Sequence, residues 1–278
     1  MSNQIEPQLL KILQDDNAVR VIDGSWALDG TDMHALFVAE HIPGAQFFDI
    51  EKISDHDTTL PHMAPSPEVF AKAIGEMGIS ADDHVVVYDR QGLFSAARVW
   101  WTFKLMGHAQ VQVLRGGLPA WKAAGLPLSN DIPAPACVVY QPQFQNQKVM
   151  DLKTLRQGLE AKSYLVLDAR PKVRFDGAAP EPRTGLRSGH MPGSRSLPAS
   201  DLIENGALKS TAGLVDLFAA RGLNADSRVV TSCGSGVTAA ILSMALDELG
   251  HTAAALYDGS WAEWGQVSLD TPVITGES

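Results

Sequence analysis

The sequence predicts two tandem α/β domains, each a mostly parallel sheet flanked by helices. Three observations point there. The length, 278 residues, suits about two domains of ordinary size. Short β-branched runs alternate with helix-like segments, the rhythm of parallel βαβ units. The most informative observation is that the chain repeats itself with a period of roughly 145 residues.

The first copy opens on a short apolar strand ending in an acid, Val21-Ile22-Asp23, and the second on Val166-Leu167-Asp168. His41-Ile42-Pro43-Gly44 follows in one copy and His190-Met191-Pro192-Gly193 in the other. In the first copy Ser66 before Pro67 marks a helix start, an N-cap followed by an N1 proline, and Gly78 stops that helix. The next strand is Val85-Val86-Val87-Tyr88-Asp89, matched by Val229-Val230-Thr231-Ser232-Cys233. Each copy continues with a small-residue loop and a helix, which in the second copy spans 237 to 249 before Gly250. A glycine turn leading to tryptophan closes both, Gly116-Gly117 to Trp121 and Asp258-Gly259 to Trp264. The pairs keep one order, so the copies are homologous. Their expected limits are 1–128 and 148–278. Between them, 129–147 is rich in Pro, Gln and Asn, a composition that suits an extended linker.

Composition narrows the function classes. Hydrophobic residues make up 45% and charged residues 19%, enough for packed cores. The net charge of −10 disfavours a nucleic-acid binder working by phosphate neutralisation. No apolar run approaches the ~18–20 residues of a membrane span. The N-terminal Met1-Ser2-Asn3-Gln4-Ile5 lacks the basic and apolar regions of a secretory signal. Two cysteines, Cys137 and Cys233, make no disulfide framework, which suggests a reducing, cytoplasmic setting. No Cys/His cluster has metal-ligand spacing, so neither metal nor cofactor is expected.

Cys233 falls where an apolar strand ends and before a helix begins, the place where open α/β sheets hold their ligands. Between them lies Gly234-Ser235-Gly236. Glycines let the backbone curl so that successive N–H groups form an anion-binding nest, and the helix adds the positive end of its dipole. Both favour thiolate over thiol, and would cradle an anionic sulfur carried on it. A lone cysteine at a strand end is more often core filling. Here the matching residue is Asp89, which no core would want, so the position is expected to face solvent or a cleft. Cys137, in the linker, has no such cradle.

Cys233-Gly234-Ser235-Gly236-Val237-Thr238 resembles the active-site loop of 3-mercaptopyruvate sulfurtransferases, in the rhodanese superfamily. The similarity runs through nearly the whole chain, including Gly189-His190-Met191-Pro192-Gly193, Tyr257-Asp258-Gly259-Ser260-Trp261, Gly92-Leu93-Phe94-Ser95 and Arg98-Val99-Trp100-Trp101. The resemblance implies two rhodanese-like domains, only the second with the catalytic cysteine. It also bears on the donor, because thiosulfate-using relatives usually place a basic residue where Gly234 stands.

The resemblance further implies site residues. Two arginines nine residues apart, matching Arg174 and Arg183, would bind the donor's carboxylate and carbonyl. A planar guanidinium can pair both carboxylate oxygens at once. Arg170 and Arg187 lie nearby and are weaker candidates. The loop members Gly234, Gly236, Val237 and Thr238 would line the donor. A Ser–His–acid relay proposed in the family maps onto Ser235, His62 and Glu51, the last where a relative has aspartate. The first copy would then lend His62 and Glu51 to a site centred on the second. His41 and His190 recur in both copies, only one of which has a cysteine, and read as structural.

The activity so implied moves sulfur from 3-mercaptopyruvate through a Cys233 persulfide to cyanide or a thiol, releasing pyruvate. Thiosulfate:cyanide transfer is the nearest alternative. A cysteine phosphatase would need an arginine closing the loop, and none follows Cys233 there. A non-catalytic binding module sits poorly with a retained nucleophile. A chain carrying its own domain pair is expected to be a monomer.

Overall fold

The computed structural model describes residues 2–276. They fall into two compact units. The first comprises the chain up to Asp55, Ala64–Gln145 and Asn205–Leu208; the second comprises His56–Met63, Asn146–Glu204 and the chain from Lys209 on. The cut is not a simple one. Residues 56–63 of the first sequence copy pack with the second unit, and 205–208 of the second copy with the first.

The first unit contains β1 (Gln4–Ile5), α1 (Pro7–Asp15), β2 (Arg20–Asp23), α2 (Met33–Ala39), β3 (Gln46–Phe47), α3 (Pro67–Glu76), β4 (Val85–Tyr88), α4 (Ala96–Leu105), β5 (Val111–Leu114) and α5 (Gly117–Ala123). Its strands pair in parallel in the order β1-β5-β4-β2-β3. The start of α3 follows its sequence signal. Ser66 accepts a hydrogen bond from the Val69 N–H, Pro67 is the first helical residue, and Gly78 beyond the end has φ +70°.

After a 3₁₀ turn (Asn146–Lys148) the chain continues as β6 (Val149–Met150), α6 (Leu152–Glu160), β7 (Leu165–Asp168), α7 (Lys172–Phe175), β8 (Arg195–Ser196), β9 (Ile203–Glu204), β10 (Ala207–Leu208), α8 (Thr211–Ala219), β11 (Val229–Ser232), α9 (Ala239–Glu248), β12 (Ala255–Tyr257) and α10 (Ser260–Trp264). The second unit's sheet has the order β6-β12-β11-β7-β8, again parallel. Mapped onto each other, the two sheets have the same order and direction, so the repeat in the sequence is a repeat in topology. Even the closing tryptophans match. Trp121 donates to the Pro127 carbonyl at 2.7 Å and Trp264 to that of Pro272 at 2.9 Å. Both indoles are fully buried beneath their sheets' central strands.

Residues 130–145 carry no helix or strand, but they are not a free tether. The Val138 N–H donates to Gly75 O, and those of Gln143 and Gln145 to Met106 O and Leu105 O. Tyr140 is buried, its hydroxyl 3.0 Å from His108 Nδ1. This stretch therefore forms part of the first unit rather than a spacer, because its backbone groups find partners at the ends of α3 and α4. Among the described residues, no helix is long and apolar enough to cross a membrane.

Candidate active site

In the second unit β11 pairs with β7 so that Ser232 lies opposite Asp168, and Cys233 is the next residue. The loop 234–238 then curls back before α9. Its carbonyls are tied to α10, where Trp261 N–H donates to Cys233 O at 2.9 Å and Ala262 N–H to Gly234 O at 2.8 Å. Its interior is held by one hydroxyl. Ser260 Oγ accepts from the N–H of Cys233 at 3.2 Å and from that of Gly236 at 3.1 Å, and donates to Tyr257 O. Ser260 has φ +49°, a left-handed conformation rare for a residue with a side chain. The N–H groups of Gly234, Ser235, Val237 and Thr238 are not spent on any of these bonds.

Two guanidinium groups converge over this loop. A Cβ placed on Gly234 would stand 3.3 Å from Arg174 Nη2 and 4.0 Å from Arg183 Nη1. Arg174, on the single turn of α7, is aimed by Glu181, whose buried carboxylate accepts from its Nε at 3.2 Å and from its Nη2. Glu181 also accepts from Arg170 Nη1 at 2.9 Å. Arg183 Nη2 lies 3.2 Å from His62 Nε2 and 3.4 Å from Ser235 Oγ. A cation donating to His62 Nε2 makes that nitrogen an acceptor.

Most of the expected residues are therefore neighbours: Cys233, Gly234, Ser235, Gly236, Arg174, Arg183 and His62 gather in one unit. Val237 is buried within the loop, while Gly234 and Thr238 are partly exposed. Three expectations need correction. The position of Cys233 does not open to solvent. Cys233 is 2% exposed and Asp89 1%, because each loop curls over its own strand end. The first copy tolerates a buried carboxylate there because three amides bind it, Gln91 N–H to Oδ1 at 2.9 Å and Phe94 and Ala96 N–H to Oδ2 at 2.7 and 2.9 Å. His62 is not lent by the first unit, since its segment packs with the second. Glu51 does belong to the first unit, where it accepts from the Trp26 indole N–H at 2.8 Å. What links Ser235 to His62 is Arg183, whose Nη2 reaches both.

The weaker candidates have other work. Arg170 is fully buried, clasped by Asp168 and Glu181, stacked 4.1 Å over Trp261 and bonded to Gly189 O. Burial opposes its charge, but Asp168 and then Glu181 more than offset this, leaving its pKa above the ordinary value. Arg187 spends its guanidinium on the carbonyls of Trp264, Gly265 and Thr271. His190 stacks on Phe175 at 3.8 Å and bonds its carbonyl, and His41 does the same with Phe37 at 4.2 Å; both are structural. Cys137 is exposed. Sequence reasoning missed Glu181 and Ser260. The first looks like any surface acid between prolines, whereas Ser260 had a signal, since its motif was visible and its counterpart in the first copy is Gly117.

A cysteine at the C-terminal end of a central parallel strand, under a glycine-bearing loop and two arginines, defines a thiol site of the rhodanese type. The Rhodanese-like domain model matches residues 6–124 and 151–266, one stretch in each sequence copy, and the chain belongs to that family. It is 40% identical over 262 residues to 3-mercaptopyruvate sulfurtransferase of Escherichia coli K12, covering 93% of each chain. It is 39% identical over 284 residues to thiosulfate/3-mercaptopyruvate sulfurtransferase 1, mitochondrial, of Arabidopsis thaliana, covering 94% of this chain and 75% of that one. Among solved structures, SseA from Escherichia coli, described as a 3-mercaptopyruvate sulfotransferase with the rhodanese fold, superposes with a TM-score of 0.86. Its identity is 36%, over 95% of this chain and 100% of that one.

Proposed function

We propose that this chain moves sulfur from 3-mercaptopyruvate to a thiol or cyanide through a persulfide on Cys233. One observation carries the reading: Arg174 and Arg183 close on Gly234, beside the thiol, within the space a side chain would need. The guanidinium groups would pair the donor's carboxylate and carbonyl, setting its sulfur against Cys233. The Cys233 thiolate attacks that sulfur, an S–S bond forms as the C–S bond breaks, and pyruvate leaves as its enolate, taking up a proton. An acceptor thiolate or cyanide then attacks the outer sulfur and the Cys233 thiolate is restored. Splitting the transfer in this way replaces one difficult step with two easier ones. The unspent loop amides and Ser235 would stabilise the negative charge as it moves between sulfurs. His62, accepting from Arg183, holds that guanidinium rather than taking a proton from Ser235. Glu51, bonded to Trp26 in the first unit, has no part in this scheme.

Thiosulfate is the second donor to weigh, since the Arabidopsis relative's name includes it. Gly234 favours mercaptopyruvate: a basic residue there would crowd Arg174 and add like charge beside it. Gly234→Arg is expected to lower kcat/KM for mercaptopyruvate by on the order of tenfold or more and to raise the relative rate with thiosulfate. Equal loss with both donors would remove Gly234 as a selector. Work as a monomer in the cytoplasm is part of this proposal, resting on the duplicated chain and its two free cysteines.

A further inference from the structure

From Asp176 to Ser194 the chain that carries Arg183 and closes behind Arg174 has neither helix nor strand. Such a segment needs external partners for its backbone. It finds many of them in the C-terminal segment. Arg187 N–H donates to Gly265 O at 2.8 Å and Val267 N–H to Gly185 O at 3.1 Å. His190 and Ile274 exchange both backbone bonds, at 2.9 and 3.1 Å, and Gly276 N–H reaches Asp176 O at 2.8 Å. The loop is thus tied at its start, middle and end. Arg187 adds a side-chain lock, with Nη1 to Thr271 O at 2.7 Å and Nη2 to both Trp264 O and the Thr271 hydroxyl.

We propose that residues 265–276 are a clamp that holds the two donor-binding arginines in register over Cys233, with Arg187 and Thr271 as its positioning residues. Little of this segment belongs to the core: Thr271 is buried, Val273 packs against the core's edge, and Val267 and Ile274 are exposed. Beyond bonds to α10 and Arg156, its backbone partners outside the segment lie in the loop, at Asp176, Gly185, Arg187 and His190. The clamp therefore serves recognition of the donor carboxylate and leaves the thiol untouched. This inference rests on the proposed roles of Arg174 and Arg183.

The test uses full-length protein in a Cys137→Ser background, with Arg187→Ala and the nearly isosteric Thr271→Val. Arg187→Ala is expected to raise KM for mercaptopyruvate by on the order of tenfold, and Thr271→Val by about threefold. The rate of Cys233 alkylation by iodoacetamide, which needs no carboxylate site, should stay within about twofold of the parent. Amide hydrogen exchange across 176–190 should quicken in both variants. An unchanged KM with a lowered melting temperature, or alkylation slowing by the same factor as KM rises, would reduce the segment to ordinary structure and overturn the proposal. Should Arg187→Ala fail to fold, Thr271→Val carries the test alone. Should the parent not turn over mercaptopyruvate, the functional reading fails by itself; unchanged exchange across 176–190 would reject the clamp independently.

Discussion

The loop after β4 and the loop after β11 leave matched central strands of two sheets with the same order, and they solve one electrostatic problem in opposite ways. Both turn on a glycine four residues past the strand end, Gly92 at φ +103° and Gly236 at φ +77°. Both are bonded to the helix after the next strand, with Leu118 N–H on Asp89 O and Trp261 N–H on Cys233 O. In the first unit the loop amides close on the Asp89 carboxylate, an anion the chain supplies itself. In the second, Cys233 takes that place and Ser260 gathers two of the amides. The residue matching Ser260 is Gly117, φ +56°, where a Cβ would stand 2.4 Å from Asp89 O. The first loop is thus a filled nest with no room for a side chain at that corner. The second has opened the corner and accepted a strained serine, whose hydroxyl takes two of the amides. What separates the two copies is that the first supplies an anion to its own loop and the second does not.

The largest effect is expected for Asp89→Ala, which strands three N–H groups, that of Ala96 buried and those of Gln91 and Phe94 part-buried. At ~1–3 kcal/mol for each, the first unit should lose roughly 3 kcal/mol or more. Urea unfolding would show it, and Asp89→Asn, keeping an acceptor oxygen, should lose less. A shift of Asp89→Ala below about 0.5 kcal/mol would mean the carboxylate is not what holds that loop. Next comes Ser260. Ser260→Ala and Ser260→Gly should both slow sulfur transfer by on the order of tenfold by releasing the Cys233 and Gly236 amides. Glycine relieves the left-handed strain, so it should melt higher than the alanine variant. If both variants turn over at the parent rate, the hydroxyl does not organise the loop.

The smallest effect is in pH. Burial lowers the pKa of His108 in the first unit and of His190 in the second. In each case the unfolded chain binds the proton more readily than the folded one. Stability is therefore full above the unfolded histidine value of ~6.5 and falls as pH drops below it toward the folded values. His190→Gln should flatten part of that slope in calorimetric scans, and an identical slope would exclude His190 as a source.

Much of this was legible in the sequence. The twin acids Asp23 and Asp168 end matching strands, and Ser66 with Pro67 starts α3, because period and capping are local. Cys233 could be placed at a strand end for the same reason. Burial of Asp89 was not legible, since it depends on amides from residues 91, 94 and 96 that only the curled loop brings round. The packing of 130–145 escaped because its composition lacks a core pattern, while its stability comes from backbone bonds to distant helix ends. The two-residue strands β1, β3, β6 and β8 carry too few side chains for any alternation to show. The migration of His62 into the second unit is a matter of tertiary partition, which no spacing records.

The central claim is that a cysteine only 2% exposed nonetheless takes up sulfur because its loop and two arginines are built around that step. Intact-mass spectrometry after brief exposure to mercaptopyruvate, with peptide mapping, tests it most directly. The account predicts a gain of one sulfur atom located on Cys233, none on Cys137, and no gain or pyruvate release from Cys233→Ala. Sulfur appearing elsewhere, or a Cys233→Ala protein that still gains it, would contradict the account.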